Sequence, residues 1–247
     1  MNLRLMRSKL RAMKIEGPLV KGTFVERPNR FITHIRVNGD VVVSHLLDPG
    51  RLKELLVPRA VVWLRPAPEN TTRKTQYSTV LVEKKGVLVS LDTTLPNQFL
   101  RKEFDSIPAF IGWSQLKSEY KLGNHRIDFL LKDDQGNKVF AEVKSVTYVS
   151  NGIAQFPDAV TIRGKRHVEL LASLSNKGER TMILFICQRP DANVFQPMWD
   201  RDPDFSKALV SAKQANVDIK CLTTNVSLKE MTFCREIPVN LTPPNER

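Results

Sequence analysis

Hydrophobic and polar residues alternate in short runs along the first third of the chain. From Pro18 to Ser90, runs of a few residues rich in Val, Ile and Thr are separated by turn-forming residues. This pattern is typical of a small β-barrel or sandwich. The predicted strands span residues 19–26, 30–37, 40–46, 60–65, 77–84 and 86–91.

Two local signals refine this prediction. Asn38-Gly39 lies between the second and third predicted strands and favours a type I′ hairpin turn. Arg51–Leu56 has the pattern of a short helical turn. Five strands with such a turn fit an OB-like barrel, whose face and loops often contact oligonucleotides. We therefore predict an OB-like nucleic-acid-binding domain over residues 17–90.

After Leu95-Pro96-Asn97 the pattern changes to longer, alternating elements. It predicts helices at 97–106, 159–175 and 203–215, and strands at 115–122, 126–132, 138–147, 180–188 and 217–223. Asp202-Pro203-Asp204 is a good helix start, because Pro is tolerated in the first turn and acids favour the helix N-terminus. The predicted fold class is α/β (α+β overall), with a second domain over residues 91–247.

Charge is distributed unevenly along the chain. The net charge is +12, and residues 1–90 hold 17 Lys and Arg against 7 Asp and Glu, whereas the remainder holds 21 against 19. A concentrated positive field favours nucleic acid, because neutralised phosphates release condensed counterions. A generally basic surface with no bound partner is the alternative interpretation.

Composition excludes several classes of protein. The chain lacks an apolar run near ~18 residues, so no membrane span is predicted. Cys187, Cys221 and Cys234 have neither disulfide-framework nor zinc-ligand spacing and are expected to be reduced thiols in a cytoplasmic protein. Residues 1–16 form a basic leader without the apolar core of a secretory signal, and we expect it to be disordered or helical.

The sequence feature that suggests catalysis is Asp128 followed by Glu142-Val143-Lys144 on two predicted strands. Side chains alternate faces along a strand, so Glu142 and Lys144 share one face, and strand pairing can bring Asp128 beside Glu142. Two carboxylates placed together repel each other unless a cation or a proton shares the site. The alternative is a cross-strand ion pair on a half-exposed sheet.

These residue types fit phosphodiester hydrolysis. We assign Asp128 and Glu142 to coordination of Mg²⁺ or Mn²⁺, joined by the Val143 carbonyl. Lys144 would orient or activate the attacking water and stabilise charge on the phosphate.

Several segments resemble the sugar fermentation stimulation protein family. They are Leu116-Lys117-Ser118-Glu119, Arg126 to Leu131, Glu142 to Thr147, Phe156 to Thr161, and Arg163-Gly164 with His167. The resemblance covers residues 17–241. It implies an OB-like domain, a C-terminal domain of the PD-(D/E)xK restriction-endonuclease-like type, and DNA binding linked to control of sugar-utilisation genes.

The resemblance also suggests further site residues. It implies that Glu119 supplies an additional acid to the catalytic site, whereas Glu103 is expected to be an exposed helix charge. Asp158 suits either the cleft or a helix N-cap. Ile162 stands where family members usually have Glu, so no acidic role is assigned there.

The candidate DNA contacts are basic residues of both halves. We select Arg27, Arg30, Arg51, Lys53, Arg73, Lys74, Arg163 and Lys165. Aromatic residues are sparse in the basic domain, which favours backbone contacts to duplex DNA over base stacking. His125 and His167 are weaker candidates for phosphate contacts.

Three functions remain open on the sequence. The first is a divalent-metal-dependent DNA endonuclease, and the second is a DNA-binding regulator that no longer uses its nuclease-like site. The third is an RNA-processing factor. The oligomeric state is not predicted.

Overall fold

The computed structural model describes residues 12–69 and 72–243. Of the predicted leader, residues 1–11 lie outside the described part. The strands are β1 (Met13–Lys14), β2 (Val20–Asn29), β3 (Ile32–Val37), β4 (Asp40–Leu46), β5 (Val61–Pro66), β6 (Tyr77–Lys84), β7 (Val87–Ser90), β8 (Ser114–Leu122), β9 (His125–Lys132), β10 (Lys138–Val146), β11 (Tyr148–Ser150), β12 (Ile153–Phe156), β13 (Arg180–Cys187), β14 (Val194–Pro197), β15 (Asp218–Val226) and β16 (Glu230–Ile237). The helices are α1 (Leu95–Glu103), α2 (Ile162–Ser175) and α3 (Pro203–Gln214), with 3₁₀ turns at Phe104–Ser106 and Pro108–Phe110.

Strands β2 to β6 close into a five-stranded barrel. Their order is β4-β3-β2-β5-β6, and β6 returns to pair in parallel with β4. This connectivity is that of an OB barrel. Its interior is filled by Ile35, Leu46, Leu64 and Val82, which are almost fully buried. The prediction of an OB-like domain is confirmed.

The local predictions in the barrel also hold. Asn38 and Gly39 have φ values of 49° and 100°, as a type I′ turn requires positive φ at both positions. The Leu56 amide donates to the Leu52 carbonyl at 2.8 Å, which closes the helical turn predicted from Arg51 onwards.

The second domain is built on a seven-stranded mixed sheet. Its order is β1-β16-β15-β13-β10-β9-β8, with β10, β13 and β15 mutually parallel. Helices α2 and α3 pack on one face through Val168, Leu171, Phe205 and Leu209. Helix α1 packs on the other face through residues that include Phe99. The predicted α/β order αβββαβαβ is confirmed for these longer elements.

The strands that were not predicted are β1, β11, β12, β14 and β16, of which all but β16 are two to four residues long. Met13 and Ile15, assigned to the leader, are buried against the sheet, and β1 pairs with β16. The expectation of a disordered or helical leader is therefore wrong for residues 12–16. A two-residue strand is too short to show periodicity, which is why the sequence did not reveal it. Strand β16 alternates only weakly, and it carries an extra residue, Cys234, opposite Thr223 and Thr224 of β15.

No helix in residues 12–69 and 72–243 is long and apolar enough to cross a membrane.

The barrel and the sheet share one hydrophobic core. Val80 and Leu81 of β6 belong to the same buried cluster as Phe99 and Leu100 of α1 and Leu184 of β13. Val80 and Leu81 thus join the barrel to the core in which α1 is packed. This shared core holds α1, and with it the cleft described below, against the barrel.

Leu81→Ala should therefore destabilise both halves together. Leu81 is completely buried, and truncation of such a residue costs about 2–5 kcal/mol. Hydrogen exchange measured by mass spectrometry should show faster exchange in the barrel and in α1 alike. Val43→Ala, on the exposed face of β4, is the control. Faster exchange confined to the barrel would contradict the shared core.

Candidate functional site

The predicted acids converge where β9 and β10 separate. Ladder pairing of the two strands ends at Ala141↔Phe129, and the same register puts Glu142 opposite Asp128. Beyond this point β10 stays paired with β13 as far as Val146. The strands diverge, and the space between them becomes a cleft.

Asp128 is held at the point of divergence by two donors. Its Oδ2 accepts a hydrogen bond from the Val143 amide at 2.8 Å, and its Oδ1 accepts one from Asn97 Nδ2 of α1 at 3.1 Å. Burial, followed by the nearby charge of Glu142, raises the pKa of Asp128 above its ordinary value. The two acids therefore repel each other, as the sequence analysis expected.

Glu142 is buried and paired with two basic side chains. Its Oε1 lies 2.6 Å from Lys144 Nζ and also contacts His167 Nδ1 of α2. Although burial opposes ionisation, the His167 contact and the charge of Lys144 hold the pKa of Glu142 below its ordinary value. Glu142 and Lys144 share one strand face, as predicted.

These residues lie in a cleft of about 260 Å³. One wall is the start of α1 and the opposite wall is the start of α2, with the ends of β9 and β10 as the floor. The lining residues are Thr93, Pro96, Asn97, Glu119, Arg126, Asp128, Glu142, Val143, Lys144, Ser145, Phe156, Thr161, Arg163, Gly164 and His167.

Glu119 reaches the same cleft from β8 but is more exposed than the two central acids. It has φ 55° and pairs with Arg126 across 3.1 Å. The structure thus brings all four predicted catalytic residues to one place, with Glu119 at the rim.

The β4–β5 loop of the barrel is hydrogen-bonded to the segment that precedes α2. The Leu52 amide donates to Asp158 Oδ2 at 2.6 Å, and Arg201 donates to Asp158 Oδ1 at 2.7 Å. The helix N-cap is instead Thr161, whose Oγ1 accepts from Gly164 N at 3.0 Å. Asp158 therefore joins the two domains and does not cap α2.

A second acid supports this joint from the barrel side. Asp48 Oδ1 accepts from the Gly50 amide at 2.7 Å, and its Oδ2 accepts from Thr147 Oγ1 at 3.4 Å. Glu54 lies nearby, and its Oε1 is buried without a hydrogen-bond partner among the described residues. Burial raises the pKa of Asp48 to about 6 and that of Glu54 to about 7.

Arg27, selected as a DNA contact, has an internal role. Its guanidinium donates to the carbonyl oxygens of Gly50, Arg51, Arg30 and Asp48 at 2.7, 2.9, 2.7 and 3.2 Å. Its four terminal N–H groups are thus used to shape the loop. We therefore do not carry Arg27 into the proposed DNA interface.

The loop that Arg27 organises carries other predicted contacts. Arg51 and Lys53 are exposed on either side of Leu52, whose amide is bonded to Asp158. Arg30 is also exposed, and its guanidinium lies 6.0 Å from the Phe31 ring centre. Arg51 and Lys53 thus lie on the loop that contacts the segment before α2, and Arg30 lies in the β2–β3 turn, which Arg27 ties to that loop.

The remaining predicted basic residues differ in their surroundings. Arg163 is exposed and lines the cleft. Lys165, two residues further along α2, pairs with Asp204 at 3.1 Å. Arg73 donates to Ser78 at 3.0 Å and, like exposed Lys74, lies on the β5–β6 loop.

The donor set fits a hard divalent cation in type. Asp128 and Glu142 supply carboxylate oxygens, and their mutual repulsion would fall on sharing a cation. No group of three or more His, Cys, Asp or Glu within residues 12–69 and 72–243 is arranged to hold a metal. Further ligands would therefore have to be oxygens of another kind, such as the Val143 carbonyl, water or phosphate.

Comparison with known proteins identifies the family. The family model "Sugar fermentation stimulation protein RE domain" matches residues 90–230, and "SfsA N-terminal OB domain" matches residues 25–91. This chain belongs to the sugar fermentation stimulation protein family. The resemblance noted in the sequence is thereby confirmed, as is the fold: an OB domain followed by a restriction-endonuclease-like domain.

Relatives within the sugar fermentation stimulation protein family match over nearly their whole length. The homologue from Moorella thermoacetica is 38% identical, covering 93% of this chain and 100% of its own. The homologue from Desulforamulus reducens is 39% identical, covering 90% and 93%. The structure described as Pyrococcus furiosus SfsA in complex with Ca²⁺ matches with a TM-score of 0.82 and 29% identity, covering 92% and 98%.

Asn97 had no role assigned to it from the sequence, and His167 was only a weaker candidate for a phosphate contact. Asn97 holds Asp128 and His167 contacts Glu142. Both come from helices that meet the sheet only in the folded chain. Glu103, expected to be exposed, is 2% exposed, because it lies on the core side of α1. His125 is exposed at the start of β9.

The joint between the domains should weaken as pH rises. Folded-state pKa values of about 6 for Asp48 and about 7 for Glu54 exceed their ordinary values of 3.8 and 4.5. Their contribution to stability is therefore fully present below the ordinary values and is lost as pH rises through about 6 and 7. Urea unfolding at about pH 5 and about pH 8 should show that Glu54→Gln loses about 2 kcal/mol less stability than wild type over this interval. Equal losses in both proteins, or in Glu54→Gln and the exposed control Glu83→Gln, would contradict this assignment.

Lys144→Met should destabilise the protein, because it removes a counter-charge from buried Glu142. Breaking a buried ion pair costs about 3 kcal/mol or more. In a double-mutant cycle, the Glu142→Gln/Lys144→Met pair should lose clearly less stability than the sum of the single variants. Urea denaturation measures all four free energies of unfolding. Strict additivity would mean that the 2.6 Å contact contributes nothing.

Proposed function

We propose that this protein is a divalent-metal-dependent nuclease that holds DNA, preferably duplex, between its barrel loops and its cleft. The observation that carries the proposal is the convergence of Asp128, Glu142 and Lys144 in one cleft with Arg163 on its wall. This arrangement supports the PD-(D/E)xK assignment. A surface ion pair alone does not account for a second acid held beside the first by dedicated donors.

The acids would hold the cation, which is Mg²⁺ or Mn²⁺ in this proposal. Asp128 and Glu142 provide two carboxylates, and the Val143 carbonyl is a candidate third ligand. The relative described in complex with Ca²⁺ supports a divalent cation in the family. When bound, the cation would polarise the phosphoryl oxygens of the scissile group.

The protein's own residues would perform the remaining tasks. Lys144 would orient the attacking water and stabilise negative charge on the phosphate, while His167 keeps Glu142 directed into the cleft. Water adds to phosphorus, the bond to the leaving oxygen breaks, and the products carry a phosphate on one end and a hydroxyl on the other. The water's proton leaves to solvent, and the leaving oxygen takes one up.

DNA binding would rest on the cations near the cleft. Arg51 and Lys53 lie on the barrel loop that is bonded to Asp158, and Arg30 lies on the barrel turn that Arg27 ties to this loop. Arg163 on α2 lines the cleft, so phosphates could be neutralised on both domains. Arg73 and Lys74 extend this surface along the barrel. Lys165 would have to leave Asp204 to contribute.

Lys144→Ala should reduce cleavage about 10²–10³-fold and leave DNA binding unchanged, because Lys144 acts on the reacting groups and not on distant phosphates. Purified protein should be tested on linear, nicked, branched and single-stranded DNA and on RNA, with Mg²⁺ or Mn²⁺. Lys220→Ala is a matched control, since Lys220 also follows an acid two residues earlier and pairs with Glu236 at 3.2 Å.

Three outcomes would overturn this proposal. If DNA is bound but no substrate is cut with either metal, the protein is a non-catalytic DNA-binding regulator. If RNA alone is bound or cut, the substrate class is wrong. If Lys220→Ala reduces cleavage as much as Lys144→Ala, the effect is not specific to the cleft.

A further inference from the structure

The cleft continues into a second concavity along α1. This concavity has a volume of about 740 Å³ and shares Thr93, Asn97, Glu119 and Arg163 with the cleft. Its other lining residues are Thr94, Gln98, Arg101 and Lys102. A ligand in the cleft therefore has a continuous path along the outer side of the helix.

Packing fixes which side of α1 faces this path. Phe99, Leu100 and Glu103 are directed into the core and are buried. Gln98, Arg101 and Lys102 lie on the other side, and we call these three residues the α1 ledge. Because Phe99 and Leu100 belong to the core shared with the barrel, the ledge cannot rotate away from the concavity without disrupting that core.

The α1 ledge is further from the barrel than Asp128 is, because it lies nearer the C-terminal end of α1. Thr93, just before the helix, donates to the barrel carbonyl of Leu47 at 3.3 Å, and Asn97, one turn on, donates to Asp128. A rise of about 1.5 Å per residue places Arg101 about 6 Å further along the axis. Barrel contact, Asp128 and ledge thus follow one another along α1.

Charge on this path is positive. Arg101 and Lys102 are exposed, and Arg163 stands on the facing wall. The acid of the concavity, Glu119, is paired with Arg126. Basic residues in the last turn of a helix also stabilise it through the helix dipole. That effect does not explain why these two residues line a concavity that is continuous with the cleft of Asp128 and Glu142.

We propose that the α1 ledge binds a phosphate of the nucleic-acid strand on the side of the scissile bond away from the barrel. The inference rests on the nuclease function proposed above and adds a subsite to it. With cations on both sides of Asp128 and Glu142, a strand crosses the cleft and does not end in it. The substrate is then an internal phosphodiester bond.

The salt dependence of binding tests the subsite. Each lost phosphate contact should lower the slope of log K against log salt concentration by about 0.9 on duplex DNA. The double variant Arg101→Gln/Lys102→Gln should therefore show a slope smaller by about 0.9, since one phosphate contact is lost. Fluorescence anisotropy of a labelled duplex, with chelator present so that cleavage cannot interfere, measures the binding constants.

The control is Lys207→Gln/Lys213→Gln, which removes two exposed lysines from α3 on the other face of the sheet. Its slope should equal that of wild type. If the ledge variant also keeps the wild-type slope while wild type binds DNA in a salt-dependent manner, the subsite is refuted and the proposed function stands. If wild type binds no DNA at any salt concentration, the proposed function fails and the subsite fails with it.

Discussion

The site depends on the repulsion between two buried acids at the point where two strands part. Asp128 and Glu142 are brought opposite each other by the register of β9 and β10, and each is held by donors from outside its own strand. Asn97 comes from α1 and His167 from α2. The sheet therefore brings two negative charges together, and the helices on its two faces supply polar groups that stabilise them. Their arrangement explains why the cleft needs both helices in place.

The fold and the central acids could be predicted because they follow from short-range patterns. Strand periodicity places Glu142 and Lys144 on one face, and alternating runs identify most strands of both domains. Arg27 could not be assigned in the same way, because an arginine that shapes a loop has the same local sequence pattern as one that faces solvent. Its role depends on four carbonyl groups contributed by two separate segments.

Residues that join distant parts of the chain were the hardest to interpret from sequence. Asp158 has the local setting of a helix cap, yet its carboxylate is used by Leu52 and Arg201. Asn97 and Arg101 belong to a helix whose orientation is decided by a core built from both domains. Long-range packing is invisible in a linear pattern, and here it selects which polar residues reach the cleft.

The core common to the barrel and α1 also limits how the protein can be divided. Separating the chain near Leu91 would uncover Val80 and Leu81 on one fragment and the part of the α1 core that they cover on the other. Each fragment would then carry an exposed apolar surface and only part of the proposed nucleic-acid interface. Grafting only one fragment into another protein would transfer neither a stable module nor the complete proposed interface.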